Sequence, residues 1–323
     1  MAAKTTERLE PRTTSPSWFE KNKKTLVLLT MVAPVAIWLL LLRYLPMGGI
    51  VLAFKNYKVN PRNPSFISNL INSKWVGFKN FEFLFKTDSA WVMIRNTLAY
   101  NIVFIILGVI IPVAFAIMMN EVRNMFGKKL VQTVSYLPHF LSWIVVTGIL
   151  HDALSSTGII NEMLVNLGIL NSPINFFANP GYFWPIVAFA NVWKETGWNA
   201  IVYLAAITSI DPSLYEAATL DGAGRWGKIW HVTLPGIKST IMILLIMNIG
   251  NVLNAGFEVQ YLLGNGLVKS VSETIDIYTL TWGISQNDYS LGTAAGIFKS
   301  VVAIILILGA NWIAKRAGED RLF

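Results

Sequence analysis

TLVLLTMVAPVAIWLLLL, residues Thr25–Leu42, is the stretch that decides the fold. It carries no charge, and about 20 mostly apolar residues in a helix are enough to cross the hydrocarbon core of a bilayer. A signal peptide is the rival interpretation, but a long polar leader precedes the run and no small-x-small cleavage pattern follows it. We therefore predict a retained membrane helix.

The composition of the whole chain also indicates a membrane protein. Of its 323 residues, 54% are hydrophobic and 14% are charged, whereas soluble domains carry about a quarter charged residues. The chain has no cysteine, which excludes disulfides and thiolate metal sites, and its three histidines lie too far apart for a ligand pair. The net charge of +8 comes from basic residues spread along the chain. We therefore predict basic loops beside membrane spans and no nucleic-acid partner.

Five further apolar runs predict the remaining spans. They cover roughly Leu98–Met119, Val131–Asp152, Phe183–Ile210, Thr240–Leu263 and Gly292–Ile313. The predicted fold class is all-α, a polytopic membrane protein with six transmembrane helices. Residues 1–24 are predicted to form a cytoplasmic tail, and residues 25–323 a single transmembrane domain. Between spans three and four, apolar residues at helical spacing within residues 158–168 predict a short amphipathic helix at the membrane surface.

The positions of Lys and Arg predict the orientation. With both termini in the cytoplasm, fifteen of the 26 basic residues lie inside and nine lie outside. Eight of the nine fall in the loop Arg43–Arg95, and long loops follow the positive-inside rule poorly. The cluster Lys21, Lys23 and Lys24 just before the first span is the stronger signal, and it predicts cytoplasmic termini.

Between predicted spans four and five lies DPSLYEAATLDGAGRWGKIWHVTLP, residues Asp211–Pro235. Asp211 followed by Pro212 is typical of a helix start. Gly222 can adopt a backbone conformation that ends the helix, and a second short apolar run follows before Leu234–Pro235. The pattern predicts a helix, a glycine turn and a helix on the cytoplasmic face, with small residues that let another protein approach closely.

This stretch resembles the EAA loop of the permease subunits of binding-protein-dependent ABC importers. The matching residues are Glu216, Ala217, Ala218, Asp221, Gly222, Ala223, Ile229, Leu234 and Pro235. In that family the loop is the coupling helix, which docks into a cleft of the ATPase subunit. The resemblance implies that Glu216 makes a polar contact with the ATPase and that Gly222 permits the turn. An ordinary amphipathic loop is the alternative interpretation.

The same stretch contains GAGRWGK, residues Gly222–Lys228, which fits the first seven positions of a phosphate-binding P-loop. Ile229 stands where a Ser or Thr must reach Mg²⁺, and no buried strand precedes the glycines. These departures argue against nucleotide binding by this chain. We therefore predict no bound cofactor and no enzyme activity in the chain itself, with ATP and Mg²⁺ used by a separate ATPase subunit.

Most of the chain resembles the sugar branch of these permeases, and within it the LplB-like group linked to complex oligosaccharides. The matching stretches are VGFKNFEFLF, SYLPHFLSWIVVTGI, GFEVQYLL and YSLGTAAGIFKSVVAIILILGANWIAK. The resemblance implies import of an oligosaccharide by alternating access, in the bacterial cytoplasmic membrane. The implied partners are a second homologous permease in a heterodimer, two ABC ATPase subunits, and an extracellular or lipid-anchored sugar-binding protein.

Polar residues at membrane depth are the candidates for a substrate path, since a charge at a helix centre costs about 2.5–3.5 kcal/mol and usually faces a cavity or partner. The candidates are Glu195, Trp198, Asn199 and Tyr203 in span four, and Asn251, Asn254 and Glu258 in span five. Each set follows one helical stripe, and carboxylates, amides and aromatic faces suit sugars. The alternative is that these side chains bond to the partner permease or to each other.

Two lysines also lie within the predicted spans. Lys194 adjoins Glu195, but neighbours on a helix point apart, so no pair between them is predicted. Lys299 is predicted either to pair with a carboxylate or to snorkel outward.

Other function classes remain open on the sequence alone. The EAA resemblance also fits an importer of amino acids, peptides or an anion. An integral membrane enzyme would need a clustered acid/base or metal constellation, whereas the acidic residues here are scattered, so we predict no catalytic and no metal-binding residues. A passive channel would allow flux without ATP.

Overall fold

The computed structural model of the chain describes residues 18–250, 253 and 256–316. Its helices α1 to α9 are Trp18–Leu39, Leu45–Met47, Phe66–Asn72, Lys79–Lys86, Asp88–Glu121, Met125–Tyr136, Trp143–Leu154, Ile159–Asn166 and Pro180–Thr208. Helices α10 to α17 are Pro212–Leu220, Arg225–Lys228, Leu234–Gly236, Lys238–Gly250, Phe257–Leu263, Lys269–Ser272, Ile275–Tyr278 and Tyr289–Arg316. Two short strands, β1 Lys55–Asn56 and β2 Lys74–Trp75, pair antiparallel.

Wider and tighter turns connect several of these helices. The π-helical segments are Leu40–Tyr44, Ile229–Thr233 and Thr279–Ser285. The 3₁₀ segments are Gly48–Phe54, Leu137–Phe140, Phe176–Ala178 and Gly266–Val268.

The chain divides after residue 51 into two compact units. The first is built on α1, which continues through the π-helical segment into α2. The helical stretch Asn22–Phe54 is long and apolar enough to cross a bilayer. The predicted helix at Thr25–Leu42 is confirmed as helical.

The second unit is organised around α5 and α9, which run parallel. Near the start of α5, Tyr100 packs in one cluster with Phe183 and Val187 of α9. Near its end, Val113 and Ala116 pack in another cluster with Ala200 and neighbouring residues of α9. A chain can place two consecutive long helices parallel only by returning between them, and α6 and α7 make that return.

The return segment is broken, although the sequence predicted one span over Val131–Asp152. Helix α6 ends at Tyr136, a 3₁₀ segment follows, and α7 begins at Trp143 with the Ser142 hydroxyl accepting from the N–H of Val145 at 3.4 Å. Pro138 explains the break, because it cannot donate a helical hydrogen bond and its ring crowds the preceding turn. The short helix predicted within residues 158–168 is confirmed as α8.

The predicted span Thr240–Leu263 is also interrupted. Helix α13 ends at Gly250, and α14 begins after Gly256, whose φ of +57° is left-handed. Residues 251, 252, 254 and 255 lie outside the described residues. Glycine adopts this conformation without the steric cost that a side chain adds, so α14 can leave the direction of α13.

By length and composition, four described helical stretches can cross a membrane, among them Ser89–Glu121 and Tyr289–Ile313. A bent pair, Arg225–Gly236 with Lys238–Ile249, passes as one broken span with a 58° bend. Helix α9 does not meet the same criterion, although its 29 residues extend over roughly 43 Å. Its central polar residues, Asn191, Lys194, Glu195 and Asn199, lower its hydropathy.

The two ends of α5 separate two faces of the second unit. At its start, the Arg95 and Asn96 side chains donate to the Ser270 carbonyl beside α15. At its end, Glu121 pairs with Arg225 of α11. The helical rise from Asn96 to Glu121 of α5 places about 38 Å between these contacts.

Candidate functional site

The predicted helix–turn–helix between α9 and α13 is present as residues 211–236, which we term the coupling element. Asp211 is the N-cap of helix α10, and its carboxylate accepts from the N–H of Ser213 at 2.9 Å. This hydrogen bond lowers the pKa of the Asp211 carboxyl below its ordinary value. Pro212 occupies the first helical position, where a missing N–H costs nothing.

Helix α10 ends in a left-handed glycine cap. Gly222 has φ of +78°, its N–H donates to the Thr219 carbonyl at 3.1 Å, and the N–H of Ala223 donates to the Ala218 carbonyl at 2.8 Å. These two bonds satisfy carbonyls that the end of a helix otherwise leaves unpaired. The chain then enters α11 and the π-helical segment Ile229–Thr233.

The two ends of the coupling element meet. A Cβ atom added to Gly236 would lie 2.6 Å from Cδ1 of Ile210, so only glycine fits there without displacing that side chain. The coupling element therefore leaves α9 and returns to α13 at nearly the same place.

Most side chains of the coupling element face outward. Of the predicted coupling residues, Glu216, Ala217, Asp221, Gly222 and Pro235 are exposed, whereas Ala218 and Leu234 are half-buried. Among the described residues, the Glu216 carboxylate has no hydrogen-bond partner and no ion-pair partner. Large apolar groups are exposed beside it, with Leu220 89% and Trp226 72% accessible. A surface with an unpaired carboxylate and bare apolar groups is suited to another protein.

A polar cluster lies within the layer crossed by α9, formed by His139, Lys194, Glu195 and Trp198. The Lys194 ammonium donates to the His139 carbonyl at 2.6 Å and lies 3.4 Å from a Glu195 oxygen. The other Glu195 oxygen lies 2.8 Å from Nδ1 of His139. The imidazole in turn stacks on the Trp198 indole, with ring centroids 4.5 Å apart and planes at 2°.

The polar cluster explains how the broken return segment fits against α9. Pro138 interrupts α6, and Lys194, only 5% exposed, supplies a donor to the backbone at that break. A Cβ atom on Gly197 would lie 2.0 Å from the Ser135 carbonyl oxygen, so the two helices approach closely only because this residue is glycine. The expectation that Lys194 and Glu195 point apart was wrong, because both side chains converge on His139.

A cavity of about 590 Å³ lies beside the polar cluster. Its lining includes Trp143, Phe257, Glu258, Asp276, Thr279 and Lys299. Lys299 and Asp276 form an ion pair of 2.5 Å, in which both side chains are largely buried. Lys194 lies 5.5 Å from the centroid of the Trp143 ring, so Trp143 both approaches the polar cluster and lines the cavity.

The predicted substrate-path residues have different positions. Glu195 is half-buried, and Trp198, Asn199 and Glu258 are exposed. Tyr203 is 2% exposed and packs in an apolar cluster with α5 residues, so a solute does not reach it in this conformation. Asn251 and Asn254 lie outside the described residues.

Sequence reasoning missed three residues of this region. The Asp276 carboxylate pairs with Lys299, and the His139 carbonyl accepts from Lys194. The third residue, Trp143, approaches the polar cluster and lines the cavity. Only Asp276 could have been anticipated from the sequence. Lys299 lies within an apolar helix, so its ammonium group was expected either to pair with a carboxylate or to reach the membrane interface.

The chain matches known proteins over most of its length. Residues 104–319 match the family described as the binding-protein-dependent transport system inner membrane component. The chain is 41% identical over 311 residues to the polygalacturonan/rhamnogalacturonan transport system permease protein YteP of Bacillus subtilis (strain 168), covering 94% of each chain. Protein LplB of the same organism is 41% identical over 307 residues, covering 95% of this chain and 94% of LplB.

The fold is also similar to a solved structure. One chain of a bacterial alginate ABC transporter, in complex with the alginate pentasaccharide-bound periplasmic protein, superposes with a TM-score of 0.84 at 37% sequence identity. The similarity covers 95% of this chain and 100% of that chain.

Proposed function

The chain belongs to the family of inner membrane components of binding-protein-dependent transport systems, and on that premise we propose that it is a permease subunit of an ATP-driven oligosaccharide importer. It is a multi-pass membrane protein. A second homologous permease, a pair of ATPase subunits and an extracellular sugar-binding protein complete the proposed complex.

The observation that carries the proposal is the exposed coupling element at the end of the α5–α9 pair. Glu216 and the neighbouring Ala217 are exposed on α10, at positions that match the coupling helix of such permeases. The element is fixed at both ends where Ile210 meets Gly236. It therefore offers a partner a surface attached directly to two membrane helices.

Hydrolysis of ATP belongs to the partner in this proposal. The glycine-rich stretch that begins at Gly222 forms a helix cap, and Ile229 replaces the residue needed for Mg²⁺. Binding of ATP would close the ATPase pair and displace the coupling element.

Helix α13 is the proposed connection between the coupling element and the cavity. It begins at Lys238 after the 58° bend and has 13 residues, which extend over roughly 20 Å. The break that ends at Gly256 follows, and Glu258 lies on the wall of the cavity. A displacement at one end of α13 would thus alter the cavity, which is what alternating access requires.

The substrate class is inferred from the relatives and from the chemistry of the site. YteP is named for polygalacturonan and rhamnogalacturonan, and the structural neighbour belongs to a bacterial alginate ABC transporter. Glu195 and Glu258 offer acceptors to hydroxyl groups, and the exposed face of Trp198 suits the C–H surface of a sugar ring. We therefore propose that Glu195, Trp198, Asn199 and Glu258 contact the oligosaccharide.

The coupling role is tested by Glu216→Ala in the complete complex. We expect the ATPase to dissociate more readily or ATP-dependent uptake to fall at least tenfold, because a contact to a charged group contributes about 1.5–3 kcal/mol. The thermal stability of the isolated chain should not change. The matched control is Glu162→Ala, which removes an exposed glutamate from α8. Normal assembly and uptake in Glu216→Ala would exclude the proposed role.

The substrate class is tested by uptake of labelled solutes into proteoliposomes that contain the complex. The panel includes a neutral oligosaccharide, a uronate oligosaccharide, an amino acid, a peptide and an inorganic anion. Glu195→Ala and Glu258→Ala should impair oligosaccharide uptake without loss of assembly. Uptake of a different solute class would identify a non-sugar importer, and unchanged uptake in both variants would exclude the proposed path.

A further inference from the structure

A chain of hydrogen bonds crosses the coupling element between its two helical arms. The Tyr215 hydroxyl lies 3.0 Å from Oγ1 of Thr233. The Thr233 hydroxyl donates to the Lys228 carbonyl at 3.4 Å. A threonine hydroxyl has a single proton, so with Thr233 donating to Lys228 the Tyr215 hydroxyl is the donor in the first bond. These hydrogen bonds connect Tyr215 through Thr233 to Lys228.

The two hydroxyl groups joined by the first hydrogen bond lie on parts of the coupling element with different proposed roles. Tyr215 precedes Glu216 on α10, the arm that faces the proposed ATPase. Thr233 is 4% exposed and is the last residue of the π-helical segment, directly before α12 and the bend into α13. π-Helical segments are rare and occur frequently at functional sites.

Apart from packing contacts and this connection, α10 joins the following arm through a short turn. The turn pivots on Gly222 at φ of +78°, and glycine tolerates a wider range of backbone conformations than any other residue. Other polar side chains of α10 bond locally, as Thr219 does to the Tyr215 carbonyl at 2.6 Å. A force on α10 could then be lost as rotation about the turn.

We propose that Tyr215 is a positioning residue that locks α10 to the π-helical segment, so that displacement of α10 is transmitted to α13. The inference rests on the proposed function, since it concerns how movement of the ATPase reaches the membrane helices. In this arrangement Glu216 binds the partner, and Tyr215 prevents the bound arm from pivoting independently.

The test uses the complete complex in proteoliposomes, with oligosaccharide uptake and ATP hydrolysis measured on the same sample. Tyr215→Phe and Thr233→Val each remove one hydroxyl and keep the side-chain volume. We expect the oligosaccharide transported per ATP to fall on the order of fivefold, the factor that corresponds to one net hydrogen bond. ATP hydrolysis and assembly should persist. The double variant should be no worse than either single variant, and Thr233→Ser should restore transport per ATP.

The matched control is Thr219→Val, which removes a hydroxyl from the same helix without touching Thr233. The positioning role would be overturned if uptake and ATP hydrolysis fell together in Tyr215→Phe and Thr233→Val, or if transport per ATP stayed unchanged in them. Glu216→Ala separates binding of the ATPase from transmission of its movement, because this variant should lose the ATPase while Tyr215→Phe retains it. If the wild-type complex shows no ATP-dependent uptake, the proposed function fails and the positioning role fails with it.

Discussion

The coupling element and the polar cluster both contain charged side chains, but the charges of the first are exposed to solvent and those of the second are held by contacts within the protein. In the coupling element, Arg225 pairs with Glu121 at 2.6 Å, but the arginine side chain is 65% exposed, and Glu216 is fully outside the packed interior. In the polar cluster, Lys194 is buried between the His139 carbonyl and Glu195. Water can solvate the first set of charges, whereas the second set depends on contacts within the chain.

The exposed charges of the coupling element are therefore suited to binding a partner, whereas the buried charges of the polar cluster stabilise the packing of the helices. Exposed ion pairs contribute up to about 1 kcal/mol, so the charges of the coupling element can change partners at small cost to the fold. Breaking a buried pair by removing one partner is strongly destabilising. We therefore expect loss of the buried Lys194 ammonium to affect folding first and substitutions in the coupling element to affect transport first.

The largest expected effect on stability follows Lys194→Met. This change leaves Glu195 and the His139 carbonyl without their buried donor, and it should destabilise the chain by about 3 kcal/mol or more. Thermal unfolding of the purified chain in detergent measures the loss. The matched control is Arg225→Met, which breaks an exposed ion pair and should cost less than about 1 kcal/mol. Equal losses in the two variants would abolish the distinction between the regions.

The second expected effect concerns the ion pair in the cavity wall. A double-mutant cycle with Asp276→Asn and Lys299→Met should give an interaction free energy of about 1–3 kcal/mol, because the pair is short and largely buried. Thermal unfolding of the four forms measures it. The control cycle removes Glu82 and Lys86, an exposed pair at 2.6 Å, and should give about 0.3–0.5 kcal/mol. A cavity pair no stronger than this control would show that water reaches it freely.

The third effect compares two glycines in the turn of the coupling element. Gly222→Ala places a side chain at φ of +78° and should cost about 1–2 kcal/mol, although open space surrounds the new Cβ. Gly224→Ala is the control, since its φ of −69° suits any residue and its Cβ also meets no atom within 4 Å. Uptake and thermal unfolding should both respond to the first change and not to the second. Equal behaviour would mean that the left-handed turn is not needed.

The smallest expected effect depends on pH and lies at the opposite face. Burial raises the pKa of Glu273 above its ordinary value of 4.5, against a smaller lowering by Lys269. The folded chain therefore prefers the protonated form, and the stability this provides is lost as pH rises through the raised pKa. Glu273→Gln should melt slightly above the wild type at pH 7, with the difference vanishing below about pH 4.5. A difference independent of pH would contradict the assignment.

Much of the helical framework could be predicted from the sequence, because long apolar runs specify spans directly. Thr25–Leu42 and Gly292–Ile313 lie within single helical stretches of the structure. Gly222 was predicted as the turn residue of the coupling element, and it has the left-handed backbone that such a turn requires. Local chemistry was sufficient in these places because each feature depends on residues adjacent in sequence.

The sequence could not predict contacts that depend on packing between distant segments. Lys299 bonds Asp276 from 23 positions away, and Tyr215 meets Thr233 from 18 positions away. The break at Pro138 was overlooked because the surrounding run is apolar enough to suggest one span. Its stability depends on Lys194 of another helix, which no local pattern reveals.

The contact between Ile210 and Gly236 brings the two ends of the coupling element together, so the element is a segment that can be exchanged as a unit. Since its two ends lie side by side, the segment between them can vary without moving the membrane helices that carry it. Recombination between related permeases could replace residues 211–235 as a block and change which ATPase is accepted. The proposed solute path, formed by residues of α9 and α14 beside α17, would be inherited separately.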